Sequence, residues 1–165
     1  MILWGNKKAL FMTYDWDNLN HLQIGKYAEY LTKMELTAYG CDVYTSEVDD
    51  RGIDFVVRKD SDHYFDIQVK SLRLSKSNYV FMVKDKFVLK DNLLLSLVLF
   101  QTNEKPSIYL IPSMEWANPN ALLVSRDYDK PNQKSKPEWG LNLSKINLPL
   151  LEPYEFNKTV KLLIE

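Results

Sequence analysis

The sequence has one cysteine and two histidines in 165 residues. A lone cysteine, Cys41, cannot form an internal disulfide, and no cysteine and histidine cluster has the spacing of a structural zinc site. A reducing cytoplasm is therefore the expected compartment. Long apolar runs are also missing: the most apolar stretch, residues 93–100, is too short to cross a bilayer, so no membrane association is expected. The N-terminal MILWGNKKALFMTYDWDN has too little continuous apolar sequence, and the wrong order of charges, for a secretory signal. Neither sign of charge dominates. The formal net charge of −1 excludes a globally basic nucleic-acid binder, but it permits a local basic patch, because charges act over roughly 10 Å at moderate salt. A Walker A sequence, a dinucleotide-binding glycine fingerprint and a GxSxG elbow are all absent, so no nucleotide cofactor is expected.

What remains is an ordinary chain, 45% hydrophobic and 26% charged, long enough to bury a core and expected to form one domain over residues 1–165. There is no internal repeat; residues 131–137 are the best candidate for a flexible loop. Residues 1–17 have no decisive pattern and could form a strand or turn that covers a sheet edge or joins a dimer contact. Asn18 or Asn20 can cap a helix running to about Tyr39, with Gly40 placed to stop it. Ile24, Ala28 and Leu31 form its apolar stripe, and Glu29 sits at the edge of that stripe. Strands are expected at residues 41–46, 52–58, 64–72, 78–83, 107–111 and 121–124; residues 93–100 could be a buried helix or a strand, since periodicity does not separate the two in a short apolar run, and the turn residues 102–106 that follow favour a strand. Pro112 ends the strand at 107–111, and residues 154–164 form a final helix or a covering strand. The pattern implies an α/β protein: an N-terminal helix packed on a mixed central β-sheet, with peripheral elements after Ser77.

The stretch from Asp49 to Arg73 organises the rest. Its first strand alternates Ile53, Phe55 and Val57 with Asp54, Val56 and Arg58; its second alternates Phe65, Ile67 and Val69 with Asp66, Gln68 and Lys70. Side chains two apart in a strand share a face, so Gln68 and Lys70 do. A turn at residues 59–62 sets Asp54 opposite Ile67 or Gln68. One face of the pair is then apolar, suited to a helix, and the other carries an acid, an amide and a lysine.

The order of Glu29 on a helix, GIDF with Asp54, then Gln68-Val69-Lys70 resembles the PD-(D/E)XK nuclease superfamily, in a QxK variant. The phrases GIDFVV…IQVKS, YLIPS…W and PEWG are similar to bacterial domains termed DUF4365, which are restriction-endonuclease-like. The resemblance covers residues 20–73 and, more loosely, continues to about Tyr154. It implies a restriction-endonuclease-like core and a Mg²⁺- or Mn²⁺-dependent endonuclease acting on DNA, in host defence or mobile-element biology, often as a homodimer. Asp54 would be the main metal ligand, with the Gln68 side-chain oxygen, the Val69 carbonyl and Glu29 completing the set. Lys70 would orient the attacking water or neutralise the transition state. Glutamine where the superfamily usually has an acid removes one negative charge, which favours a rival: a nuclease-fold module without turnover that binds nucleic acid or a protein partner.

Each residue also has a plainer reading. Asp54 could be a solvated acid near a turn, Gln68 and Lys70 the wet face of an amphipathic strand, and Glu29 a solvent-facing helix residue. Asp50 is a solvated turn acid more readily than a second-metal ligand. Gly52 supplies an unusual backbone conformation, a close approach, or an ordinary turn. Lys26, Arg51, Arg58, Arg73 and Lys76 are the candidate phosphate contacts, and Ser71 could hydrogen-bond a phosphate oxygen. Tyr27, Tyr30, Tyr79 and the four tryptophans are expected in the core or an interface, His63 exposed, and Cys41 half-buried in a strand.

Overall fold

A computed structural model of the chain describes residues 14–47 and 52–164. The strand or turn expected at residues 1–17 falls mostly outside them, as do Asp50 and Arg51. Trp16–Asn18 forms a single 3-10 turn, and Asn20 then caps helix α1, His21–Ala38. The Asn20 side chain accepts the Gln23 backbone N–H at 2.9 Å, and the Gln23 side chain accepts the Asn20 N–H at 2.9 Å. Two donors that a helix start leaves unpaired are thereby satisfied. Gly40, at φ +83°, stops the helix in the left-handed conformation that glycine adopts most readily.

The buried stripe of α1 is Ile24, Ala28, Thr32 and Leu36, with Leu31 half-buried beside it. A threonine in that row was not expected. Its hydroxyl lies 2.9 Å from the Ala28 carbonyl and 2.9 Å from the Ser96 hydroxyl, so it is satisfied while tying the helix to the sheet. Thr32→Val keeps the shape but strands the buried Ser96 hydroxyl. It should cost about 1–2 kcal/mol, measured as a lowered denaturation midpoint at unchanged slope.

Eight strands follow: β1 Asp42–Tyr44, β2 Phe55–Arg58, β3 Tyr64–Arg73, β4 Tyr79–Val83, β5 Leu93–Phe100, β6 Ser107–Pro112, β7 Leu123–Arg126 and β8 Glu138–Asn142. Five of them form a mixed sheet in the order β1-β2-β3-β5-β6, in which β3 and β5 run parallel and the other neighbours antiparallel. The remaining three form a smaller antiparallel sheet, β4-β8-β7. Every residue of β5 is buried, which is why its sequence does not alternate: both of its faces are covered. Leu94, Val98 and Phe100 pack with α1 and with helix α2, Phe156–Ile164. Leu93, Leu95, Leu97 and Leu99 pack with Met82, Leu123 and Leu141 of the smaller sheet.

The central sheet thus has the helices on one side and the smaller sheet on the other. β5 and β6 complete the central sheet although they come after Ser77, and β8 was not foreseen. Its Trp139-Gly140-Leu141 interrupts any alternation, and its pairing with both β4 and β7 is a tertiary choice. Residues 127–137 contain no helix or strand, matching the expected loop. The helical alternative holds at the C-terminal end. Cys41 is buried rather than half-buried, packed in the cluster of Leu36, Phe55 and Ile67, and burial pushes its thiol pKa up. Among the described residues, no helix is long and apolar enough to cross a membrane.

Candidate active site

The β2–β3 register pairs Phe55 with Ile67 and Val56 with Asp66. Continued by one residue, it sets Asp54 across from Gln68. The Asp54 N–H still donates to the Ile67 carbonyl at 2.9 Å, although β2 has not yet begun. Phe55 and Ile67 are buried in the same cluster as Leu36 of α1, so Asp54, Gln68 and Lys70 occupy the opposite face. The hairpin closes with the Lys59 N–H on the His63 carbonyl at 3.0 Å. The Asp60 carboxylate accepts the backbone N–H groups of Asp62 and His63, which, with the His63 ring, holds its pKa down to about 2. His63 is exposed, as expected.

Asp54 is fixed by its neighbour strand. The Val69 N–H lies beyond the end of β2, where no strand residue takes it, and the Asp54 carboxylate accepts it at 2.5 Å. Val69 therefore serves the site with its amide, a role not anticipated alongside that of its carbonyl. Gly52 has φ +75°, and a Cβ there would sit 3.2 Å from the Lys86 carbonyl and 3.5 Å from Gln68 Nε2. The chain entering the site thus both turns left-handed and runs against Gln68, which accounts for the glycine.

Lys70 is half-buried, and burial pulls its ammonium pKa below the ordinary value while the Asp54 charge pushes it up. Lys26 and Glu29 of α1 form an ion pair at 2.5 Å, with the Glu29 side chain 21% exposed. That hydrogen bond raises the Lys26 pKa, and a smaller contribution comes from the Asp54 charge, so the helix pair lies within electrostatic reach of the site. Lys26 is engaged by an acid on its own helix, which lessens its availability to a phosphate.

The decisive feature is Gln68. Its side-chain oxygen Oε1 is buried and has no hydrogen-bond partner. Buried polar atoms are nearly always paired, and an unpaired one costs about 1–3 kcal/mol. Gly52, Gln68, Lys70, Phe81, Met82, Val83 and Lys86 line a cavity of about 360 Å³, and Asp54 and Glu29 are not among its lining residues. Two larger hollows, about 530 and 550 Å³, lie elsewhere and include none of Glu29, Asp54, Gln68 or Lys70.

Magnesium and manganese take oxygen donors and keep several waters. The Asp54 carboxylate and the unpartnered Gln68 oxygen are such donors, so the residues fit a small divalent cation that one carboxylate anchors. Among the described residues, no group of three or more histidine, cysteine, aspartate or glutamate side chains is placed to hold a metal. Any such site here relies on the amide.

Other candidates lie apart from this face. The Arg73 guanidinium donates to the Trp16 and Leu19 carbonyls at 3.2 and 2.6 Å, bracing the turn before α1. Arg58 lies over the Tyr44 ring, 5.7 Å from its centroid, at the far end of β2. Ser71 follows Lys70 and so falls on the helix side of β3, and Lys76 lines the 550 Å³ hollow in the β3–β4 turn with Lys145. Trp16, Trp116 and Trp139 are structural: each indole N–H donates to a backbone carbonyl, at 2.9, 2.9 and 3.1 Å. Sequence reasoning missed Phe81 and Lys86. Only alternation marks Phe81, and nothing local shows that β4 returns past β3.

The fold defines the chain as a mixed α/β protein with an N-terminal helix against a mixed central sheet. No protein-family model matches it. No curated protein matches it either. A solved structure to which it is similar is that of Hjc from Archaeoglobus fulgidus, a Holliday junction resolvase from an archaeal hyperthermophile. The two share 13% identity with a TM-score of 0.49, over 83% of this chain and 95% of that one. At that distance the likeness concerns the path of the chain and transfers no residue role.

Proposed function

We propose that this protein is a metal-dependent endonuclease that hydrolyses phosphodiester bonds in DNA. The observation that carries the reading is the buried, unpartnered oxygen of Gln68 on the same sheet face as Asp54 and Lys70. Asp54 and Gln68 would hold Mg²⁺ or Mn²⁺, with the Val69 carbonyl and, directly or through water, Glu29 as further ligands. The bound cation would polarise the phosphate and lower the pKa of an attacking water. The Val69 N–H keeps the Asp54 carboxylate in one orientation. Lys70, held beside it by β3, places a cation where negative charge grows on the phosphate oxygens.

The rival, a binding module of the same fold without turnover, is favoured by the amide at position 68 and by the absence of a three-acid cluster among the described residues. Calorimetric metal titration and a supercoiled-plasmid nicking assay separate the two. Wild type should bind Mn²⁺ and nick the plasmid, and Asp54→Asn and Gln68→Leu should each lower metal affinity at least about tenfold. Metal binding without nicking would favour the rival. Metal affinity unchanged in both variants would remove the site altogether.

A further inference from the structure

Resting on the metal-site reading above, we propose that Lys26 competes with a divalent cation for the Glu29 carboxylate, so that the ion pair on α1 sets how tightly the site holds its metal. Lys26 and Glu29 lie three residues apart, a spacing at which helix side chains meet, and their ion pair measures 2.5 Å. The Glu29 side chain is 21% exposed and that of Lys26 56%. The carboxylate is thus the enclosed partner, and the ammonium is the one with room to leave.

Packing relates this pair to Asp54. The Val69 N–H donates to the Asp54 carboxylate, and the Val69 side chain packs against the cluster that contains Ile24 and Ala28 of α1. Glu29 follows Ala28 directly. Glu29 acts on the Lys26 ammonium most strongly, and the Asp54 charge acts on it as well. A divalent cation carries twice the charge of an ammonium and is attracted about twice as strongly at equal distance, so it prevails at Glu29 once its concentration suffices. Weakening the Lys26 pair costs free energy at each binding event, and that cost lowers the apparent metal affinity. The ammonium also has a second partner. It lies 5.9 Å from the centroid of the Tyr30 ring, which is 59% exposed, and a cation–π contact there keeps it on the helix surface when Glu29 is taken.

The test is calorimetric titration of the full chain with Mn²⁺ at fixed pH and ionic strength. Wild type is compared with Lys26→Met, Lys26→Gln, Glu29→Gln and the double variant Lys26→Met, Glu29→Gln. Methionine and glutamine are both good helix formers without charge, so circular dichroism should show all variants folded. Each Lys26 variant should bind Mn²⁺ about three- to fivefold more tightly than wild type. In the Glu29→Gln background the gain from Lys26→Met should shrink to less than about 1.5-fold, because the shared carboxylate has gone. An ordinary surface pair would leave metal affinity unmoved, so unchanged or weaker binding in the Lys26 variants overturns the proposal. An equal gain in both backgrounds overturns it too, since it would reflect the field of the lysine on the whole site and not competition for Glu29. The metal-site reading is judged separately, by Mn²⁺ binding in wild type and its loss in Asp54→Asn. A protein that passes that test but shows no Lys26 effect keeps the metal site and loses this inference.

Discussion

Lys70→Met is expected to lower metal-dependent nicking by at least about 10²-fold while making the protein more stable at neutral pH. The two effects have one origin. Lys70 is half-buried on β3, and burial disfavours its charged form, leaving its pKa below 10.5 in the fold. At any pH below that lowered pKa the ammonium is charged in both folded and unfolded chains, so the full desolvation penalty weighs on the fold. As pH rises from the folded pKa toward 10.5, the folded protein releases its proton first and the penalty disappears. Methionine keeps most of the side chain's length and has no charge to desolvate. Thermal melts should therefore show the variant more stable by about 1 kcal/mol at pH 7, with the gap narrowing as pH approaches 10.5. A variant that nicks as well as wild type would remove Lys70 from the catalytic assignment. One that is less stable at neutral pH would show that the Asp54 charge outweighs burial.

The second large effect is at Gly140, in β8 of the smaller sheet. A Cβ built there lies 2.0 Å from the Tyr79 hydroxyl oxygen and 2.6 Å from the ring carbon that bears it. Tyr79 cannot move aside cheaply, because its hydroxyl donates to Glu138 Oε1 at 2.8 Å and the Arg126 guanidinium lies 4.4 Å from its ring centroid. Burial, and then the Glu138 carboxylate, keeps that hydroxyl protonated well above the usual tyrosine range. Nor is the backbone free to shift, since the Gly140 carbonyl accepts the buried Trp116 indole N–H at 2.9 Å. Gly140→Ala should cost about 2–3 kcal/mol in chemical denaturation. In a Tyr79→Ala background the same change should cost less than about 1 kcal/mol, because the clash has gone. Equal costs in the two backgrounds would show that the strain lies elsewhere.

The face that carries the candidate site was legible in the sequence. Alternation separated Asp54, Gln68 and Lys70 from Phe55 and Ile67, and the β2–β3 register bears out that division. Glu29 lies half-buried at the edge of the α1 stripe, as its spacing implied. The phosphate-contact candidates fared less evenly: Arg73 braces a turn, Arg58 lies at the far end of β2, and Arg51 is outside the described residues. A basic side chain looks the same in sequence whether it waits for a ligand or already holds a carbonyl, because the partner comes from a distant segment.

The sequence by itself determined where elements start and stop and which residues share a face, since caps, glycine turns and strand alternation are properties of a few consecutive residues. Asn20 with Gln23, Gly40, and the Asp54, Gln68 and Lys70 set all belong to that local code. The tertiary structure alone decided which faces meet. It placed β5, apolar but for Ser96, between β3 and β6, buried Thr32 against Ser96, and joined β8 to both β4 and β7. Those contacts join residues far apart in the chain. Apart from the hydrogen bonds that join Thr32 to Ser96 and β8 to its neighbours, their free energy comes from apolar burial, which is non-directional and leaves no local mark on the residues that satisfy it.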